Sequence, residues 1–474
     1  MKKGIIALSA IAALSTASFG ATDADLETRL SDMEKKIKKL EKKLKKSNKK
    51  LNKVKAHDAG DNIKWDIDFR TSVDSISYKH ASGETSSNDA VLSNRLLLGM
   101  KYKADDKVSF YGTLSYNKLY GATTTQTNGY EDFDWVTNET ASTDSSLKVK
   151  EAYWLYMNDT FLGTDVAWTA SIGRRPSTGG LGINYREGDK RKSAIASTVN
   201  VEFDGASFKW NLDKVTPLEG SWFKLCMGRG ITNATQRFND QYGADYKETE
   251  ANSDMIGFIF VPYDNGQYSV HTNYAYANNL IGYTQSDLMD GNNTNNRFAD
   301  AGGISLSTIM VKADGIGDGI SDYLDDTIMF ASFSQSKTDP TNSDGGMLGS
   351  TNSETGYMAW VGVQVPCLLT EGARVGFEIN KGSAYWRSMT YAEDTMIGSK
   401  IATRGTAMEV YWFKNLTKSL TLNLRYTKID YDYTGSNSFF GYDGKPYDIN
   451  SAEAKAMHAV SEASDFRASI RYRF

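Results

Sequence analysis

From Ile63 onward, apolar and polar residues alternate with a period of two. Ile63, Trp65, Ile67, Phe69, Thr71 and Val73 form one row; Lys64, Asp66, Asp68, Arg70, Ser72 and Asp74 form the other. Successive side chains of a strand point to opposite faces, so this is a strand with one greasy and one charged face. It runs for about eleven residues, which suits a tilted membrane-crossing strand. The pattern recurs with Ala206, Phe208, Trp210 and Leu212, then with Ala373, Val375, Phe377 and Ile379, and again with Leu420, Leu422, Leu424 and Tyr426. It ends the chain: Phe466, Ala468, Ile470, Tyr472 and Phe474 alternate with Arg467, Ser469, Arg471 and Arg473.

Connection lengths sharpen this into an all-β transmembrane antiparallel β-barrel, whose short and long connections fall on opposite sides of the membrane. Short ones are read at Ala104–Lys107, Asn158–Gly163, Asp204–Gly205, Asp264–Gly266, Pro366–Glu371 and Asn415–Lys418, several carrying hairpin-forming Asp-Gly or Asn-Gly pairs. Long ones are read at 121–146, 175–194, 278–302, 338–355, 382–404 and 431–464. About 17 strand-like segments are countable, and chain ends on one side demand an even number. The expectation is about 18 strands, with about 16 as the alternative, and the ambiguity lies between Ile195 and Asp254. A barrel of that size encloses an aqueous channel.

Ahead of the barrel the period changes. Leu26, Leu30, Met33, Ile37, Leu40, Leu44, Leu51 and Val54 step by fours and threes, with Ser47 in the gap. This a/d seam predicts an N-terminal α-helical coiled-coil segment over 21–56, about 45 Å long, and a linker at 57–62. Its oligomerising residues would be Leu30, Met33, Ile37, Leu40, Leu44 and Leu51, giving a homotrimer with a periplasmic stalk; a single amphipathic helix lying on the barrel is the other reading. Before it, Lys2 and Lys3, the apolar run from Ile5 to Leu14, and small residues at Ser18, Gly20 and Ala21 read as a signal peptide over 1–20. No cysteine follows the apolar run to take a lipid anchor. Export to the cell outer membrane of a Gram-negative bacterium is the expected destination.

Composition fits a barrel better than a set of soluble domains. Tyrosine (27) outnumbers proline (6), aromatics reach 12%, and mean hydropathy is −0.48. Charge is divided unevenly. Residues 1–57 hold 15 Lys+Arg against 6 Asp+Glu, while the remainder holds 39 against 52. The basic segment could meet anionic cell-wall polymers or lipid headgroups, although such runs are usually solvated faces. Nothing points to nucleic acid or to a cofactor.

Pore selectivity depends on charged side chains at the narrowest part of a lumen. The segment after Gly173 carries Arg174, Arg175, Arg186, Lys190, Arg191 and Lys192 against Glu187 and Asp189. Folded inward, it would line a constriction favouring anions. Folded outward, it would bind lipopolysaccharide phosphates or lie solvated. At the closing seam, Asp66, Asp68 and Asp74 of the first strand should oppose Arg467, Arg471 and Arg473 of the last. Opposite charges on neighbouring strands attract, and lipid would penalise Arg at midplane by about 2–4 kcal/mol, so these residues should face the lumen.

Three other constellations are weaker. Asp314 to Asp322 has calcium-loop composition but lacks EF-hand spacing, and a Gly/Asp turn accounts for it without a metal. Ser269, His271 and Asn273 are triad residue types on one strand face, but that face points to the lumen, away from lipid substrate, so no enzyme is expected. His57, His80 and His458 are isolated, and Cys226 and Cys367 show no sign of adjacency.

Two sets of motifs carry a family resemblance. The terminal Arg471-Tyr472-Arg473-Phe474 is similar to the ending of bacterial porins, whose last aromatic is read by the barrel-assembly machinery. The stretch Ser171 to Gly180, Phe203-Asp204-Gly205, Asp322 to Thr327 and Ser336 to Pro340 resembles a Gram-negative outer-membrane family catalogued as a domain of unknown function. That resemblance implies a porin and supplies neither a solute nor site residues. Together these features predict passive diffusion of small hydrophilic solutes or ions. The alternative is a structural outer-membrane anchor whose basic coiled coil tethers the membrane to the cell wall.

Overall fold

The computed structural model describes residues 33, 36–38, 40–43, 63–122, 146–175, 178–190, 194–232, 252–289, 298–317 and 319–474. The chain divides into a unit of Met1–Asn62 and a unit of Ile63–Phe474. In the first, Met33, 36–38 and 40–43 are helical with exposed side chains; the predicted signal peptide, the linker and most of the heptad seam, including Leu30, Leu44 and Leu51, lie outside the described residues. No helix among the described residues is long and apolar enough to cross a membrane.

The second unit is a closed antiparallel barrel of sixteen strands, each paired with its chain neighbours and β1 with β16. They are β1 (Lys64–His80), β2 (Thr85–Lys103), β3 (Val108–Leu119), β4 (Lys148–Asn158), β5 (Trp168–Arg175), β6 (Phe203–Asn211), β7 (Trp222–Ile231), β8 (Ser253–Asp264), β9 (Tyr268–Tyr283), β10 (Phe298–Asp314), β11 (Ile328–Pro340), β12 (Thr355–Pro366), β13 (Ala373–Gly382), β14 (Gly405–Asn415), β15 (Leu420–Tyr431) and β16 (Val460–Arg473). Closure leaves no edge strand, so each strand is paired on both sides.

The expected eighteen strands give way to sixteen for a physical reason located at 194–202. Ile195, Ala196, Val199 and Val201 are buried there, but they lie inside the barrel, where an apolar run imitates a strand by composition alone. Asp204 and Gly205, read as a hairpin turn, stand inside β6 opposite Arg229 and Gly228. The turn is instead at 212–221, where Leu212 N–H donates to Ser221.

One end of the barrel carries the connections 104–107, 159–167, 212–221, 265–267, 315–327, 367–372 and 416–419; the other carries 81–84 and the long ones at 120–147, 176–202, 232–252, 284–297, 341–354, 383–404 and 432–459. Alternation sends Trp65, Phe69 and Val73 outward, where they are exposed, and buries Arg70, Ser72 and Asp74 inside.

The apolar core sits inside the lumen. Two long connections, 176–202 and 383–404, fold inward and pair with each other: Asn200 N–H donates to Met389 at 2.9 Å and Met389 N–H to Thr198 at 3.3 Å. Leu181, Ile183 and Tyr185 of the first pack with Trp386 and Ile401 of the second and with Trp360 of β12. Gly182, at φ 103°, passes so close that a Cβ would lie 2.1 Å from the Trp360 ring, and only glycine meets both demands. A second cluster joins Leu280 and Ile281 of β9 to Met347, Leu348, Phe439 and Phe440 of the connections 341–354 and 432–459.

Candidate functional site

The charged part of the lumen lies against the seam. In β1, the alternation that exposes Phe69 turns Arg70 inward. The same logic turns Arg95 of β2 and Arg467 and Arg471 of β16 onto the inner face, and Arg70 is registered with both Arg95 and Arg471. Four guanidinium groups therefore crowd one patch of wall, and carboxylates hold them there. Arg467 Nε donates to Asp74 at 2.5 Å, and Arg471 Nε donates to Asp68 at 2.7 Å. Arg473, Cα partner of Asp68, reaches Asp189 at 2.6 Å instead. Asp66 lines the adjoining cavity.

The remaining counter-charge comes from the inward connections. At 183–187 the first makes a 3-10 turn, ended by Gly188 in the left-handed region. Its backbone is pinned to the wall: Gln364 donates to the Tyr185 carbonyl at 2.8 Å, and Asn423 to the Arg186 carbonyl at 2.9 Å. Thus positioned, Glu187 accepts from Arg471 at 2.8 Å and from Arg70 at 3.1 Å. From the second connection, Asp394 accepts a two-pronged pair of bonds from Arg70, both 2.7 Å, and another from Arg95. Such forked pairs are the strong, directional form of the ion pair.

Burial alone would raise the Glu187 carboxyl, but Arg95, Arg471, Arg70 and Arg186 outweigh it and hold it well below the ordinary carboxylate range. Asp394 is lowered in the same way, burial being overcome by Arg70 and Arg95. Glu393 next to it goes the other way: burial raises it against the opposing pull of Lys400. Arg404, buried beside Arg387, is pushed down to about 9.

A further buried network lies beyond. Lys400 donates at 2.6 Å to both Glu378 and Glu409, and Arg186 Nη1 stands 3.5 Å from Glu409. Beside the arginine patch is a cavity of about 320 Å³, lined among others by Asp66, Arg95, Lys150, Glu187, Lys190 and Asp394. A larger space of about 620 Å³ toward the short connections shares Asn184, Asp189 and Lys190 with it and adds Asp264, Lys312 and Arg374.

Of the six basic residues expected at a constriction, the four described ones are dispersed. Arg174 and Arg175 end β5 and are not on the inward segment. Arg174 pairs with the exposed Asp204 at 3.6 Å, and Arg175 stacks on the Tyr153 ring at 3.9 Å. Arg186 is buried among acids, Lys190 borders both spaces, and Arg191 and Lys192 lie outside the described residues. What the segment brings to the seam is acid, Glu187 and Asp189. Arg95 and Asp394 join the patch without having been expected there: the period-two row in β2 places the first inside, but no local pattern marks the second.

Ser269 and His271 do touch, at 2.9 Å. Asn273, in its better-bonded orientation, meets the main chain at Ile195 and Thr272. Asp314 to Asp322 forms the turn between β10 and β11, with a short helix at Asp322–Asp325 and Asp318 outside the described residues. Among the described residues no group of three or more His, Cys, Asp or Glu is arranged to hold a metal. Cys226 and Cys367 are both free.

No curated protein sequence matches the chain. Among solved structures, OprB of Pseudomonas putida is similar with a TM-score of 0.49 and 12% identity, over 89% of this chain and 96% of that one. OmpF of Salmonella typhi gives 0.47 and 10%, over 86% and 97%. The anion-selective porin of Comamonas acidovorans gives 0.46 and 11%, over 87% and 99%. Over residues 85–474 the sequence matches the model described as "Protein of unknown function (DUF3373)", and the chain belongs to that family.

Proposed function

We propose that the protein is a porin-type channel of the outer membrane that passes small hydrophilic solutes or ions down their gradients. The observation carrying this reading is the inversion of the barrel: apolar rows face out, while charged side chains and polar cavities face a lumen narrowed by two inward connections. A bilayer accepts β-strands only as a closed barrel with that outward surface, and buried charge on this scale is what a water-filled pathway tolerates. The path runs past Asn184, Asp189 and Lys190, which border both cavities. Because 176–202 and 383–404 fill much of the lumen, its conductance is small. Anion preference rests on the seam arginines and not on Arg174 and Arg175. A homotrimer joined by the heptad segment, contacts with lipid and lipopolysaccharide, and a periplasmic stalk belong to the same proposal.

The competing reading, a closed barrel anchoring a basic tether to the cell wall, draws on the dense apolar packing inside. Planar-bilayer recordings of the purified full-length chain separate the two. Defined single-channel steps are expected, and their absence across repeated insertions would remove the channel reading.

A further inference from the structure

The arginine patch carries more positive charge than its own wall neutralises. Arg70, Arg95, Arg467 and Arg471 are matched on the wall by Asp68 and Asp74. Arg425 beside them is paired with Glu409 of β14 at 3.7 Å, and Asp189, which also reaches Arg471, is matched by Arg473, so neither pair changes the excess. Two positive charges therefore remain, and Glu187 and Asp394, from two separate connections, supply the balance. Both touch one atom, Arg70 Nη1, at 3.1 and 2.7 Å. Their bound oxygens are thus no further apart than the sum of those distances, as in a single small molecule bearing two acid groups.

Donor capacity also exceeds what these two carboxylates use. Arg70 Nε, Arg95 Nε and Arg467 Nη2 are buried with no acceptor among the described residues. The backbone at Asp394 is secured separately from its carboxylate, because Arg467 donates to its carbonyl at 2.7 Å and Arg425 at 3.1 Å. The carboxylate can therefore swing away without unfolding the connection. It would leave next to the cavity of about 320 Å³, to which Arg95, Arg471, Glu187 and Asp394 all contribute.

We propose that Arg70, Arg95, Arg467 and Arg471 form a binding site for a small dianion, a dicarboxylate or a phosphate-type group, which Glu187 and Asp394 occupy as internal stand-ins. A solute of that class competes with them, and it neutralises in one step the two charges that a monoanion would only halve. Buried cations left without partners are costly, which gives the exchange its preference for two negative charges. The site deepens the channel reading by naming its solute class, but binding can be measured without any current.

The test is calorimetry on the full-length chain folded in detergent, titrated with succinate, inorganic phosphate and acetate. In Glu187→Gln/Asp394→Asn the stand-ins are gone, so succinate or phosphate should bind on the order of tenfold tighter than to the wild-type chain. Acetate should show no comparable gain, and adding Arg70→Gln should abolish the effect. Succinate stronger than phosphate assigns the site to a dicarboxylate; the reverse order assigns it to a phosphate-type group. Equal, weak binding of all three anions overturns the proposal. Should the double variant not fold, Glu187→Gln alone vacates one place. It should then gain affinity for acetate, and failure to do so also overturns the proposal. Dianion binding by a chain that never conducts would refute the channel while leaving the site intact.

Discussion

The two sides of the lumen are held by different physics. Against β1, β2 and β16 the inward connections are fixed by buried ion pairs centred on Arg70, Glu187 and Asp394. Against β9 to β12 the same connections are fixed by apolar contact around Trp360, Trp386 and Leu280. Apolar packing is non-directional and is lost only by opening a void. An ion-pair patch is directional, exchangeable and responsive to charge in solution. One side is therefore built as a fixed wall and the other as the side that can respond.

The largest expected effect comes from breaking the fixed side. Trp360 is fully buried; its indole N–H donates to Glu378 at 3.2 Å, and Lys400 lies over its ring. Trp360→Ala should cost about 3–5 kcal/mol, read as a lowered urea midpoint for the detergent-folded barrel. A midpoint within error of the wild type would mean that the apolar side does not hold the connection.

On the responsive side a smaller loss and a change of selectivity are expected together. Asp394→Asn removes one counter-charge but leaves Glu187 on the same arginines, so the stability loss should be about 1–3 kcal/mol. Reversal potentials in a salt gradient should shift toward anions. A shift toward cations, or none, would show that these guanidinium groups do not face the conducting path.

Much of this division was legible along the chain, and the illegible part has a physical cause. Period-two rows mark a strand because a membrane strand has two solvents, one on each face; Trp65 to Val73 needed no partner to be read. Asp74 and Arg467 stood out as lumen residues because lipid forbids charge. A connection folded inside a barrel has no second solvent and therefore no period. The apolar run Ile195 to Val201 lies in the stretch where the strand count was ambiguous, and Asp204-Gly205 reads as a turn that hydrogen bonding across β6 and β7 overrides. Counting charges in 174–192 gave the sign of the segment but not which side chains reach the wall. That is set by Gly182, Gly188 and the bonds from Gln364 and Asn423, all of them tertiary.

Acid should separate the two sides with the smallest perturbation. Glu187 is held well below its ordinary 4.5 and Asp394 below 3.8, in both cases by arginines that outweigh burial. A lowered carboxylate contributes stability that is complete above the unfolded value and is lost as pH falls through the folded one. The loss therefore begins near pH 4.5 and deepens below it, while neutral pH leaves the patch at full strength. Glu393, raised by burial, has the opposite dependence: it is destabilised as pH rises and gains from acid, so it cannot account for loosening at low pH. Acidification from pH 7 to well below pH 4, where these carboxylates begin to take up protons in the folded chain, should thus make the current noisier or larger. The fluorescence of Trp386, on the apolar side with its indole N–H on the Ile401 carbonyl, should stay unchanged. Asp394→Asn removes one of the two titrating groups and should blunt the acid response. If the variant responds to acid as fully as the wild-type chain, the responsive element is not the arginine patch, and the contrast between the two sides fails.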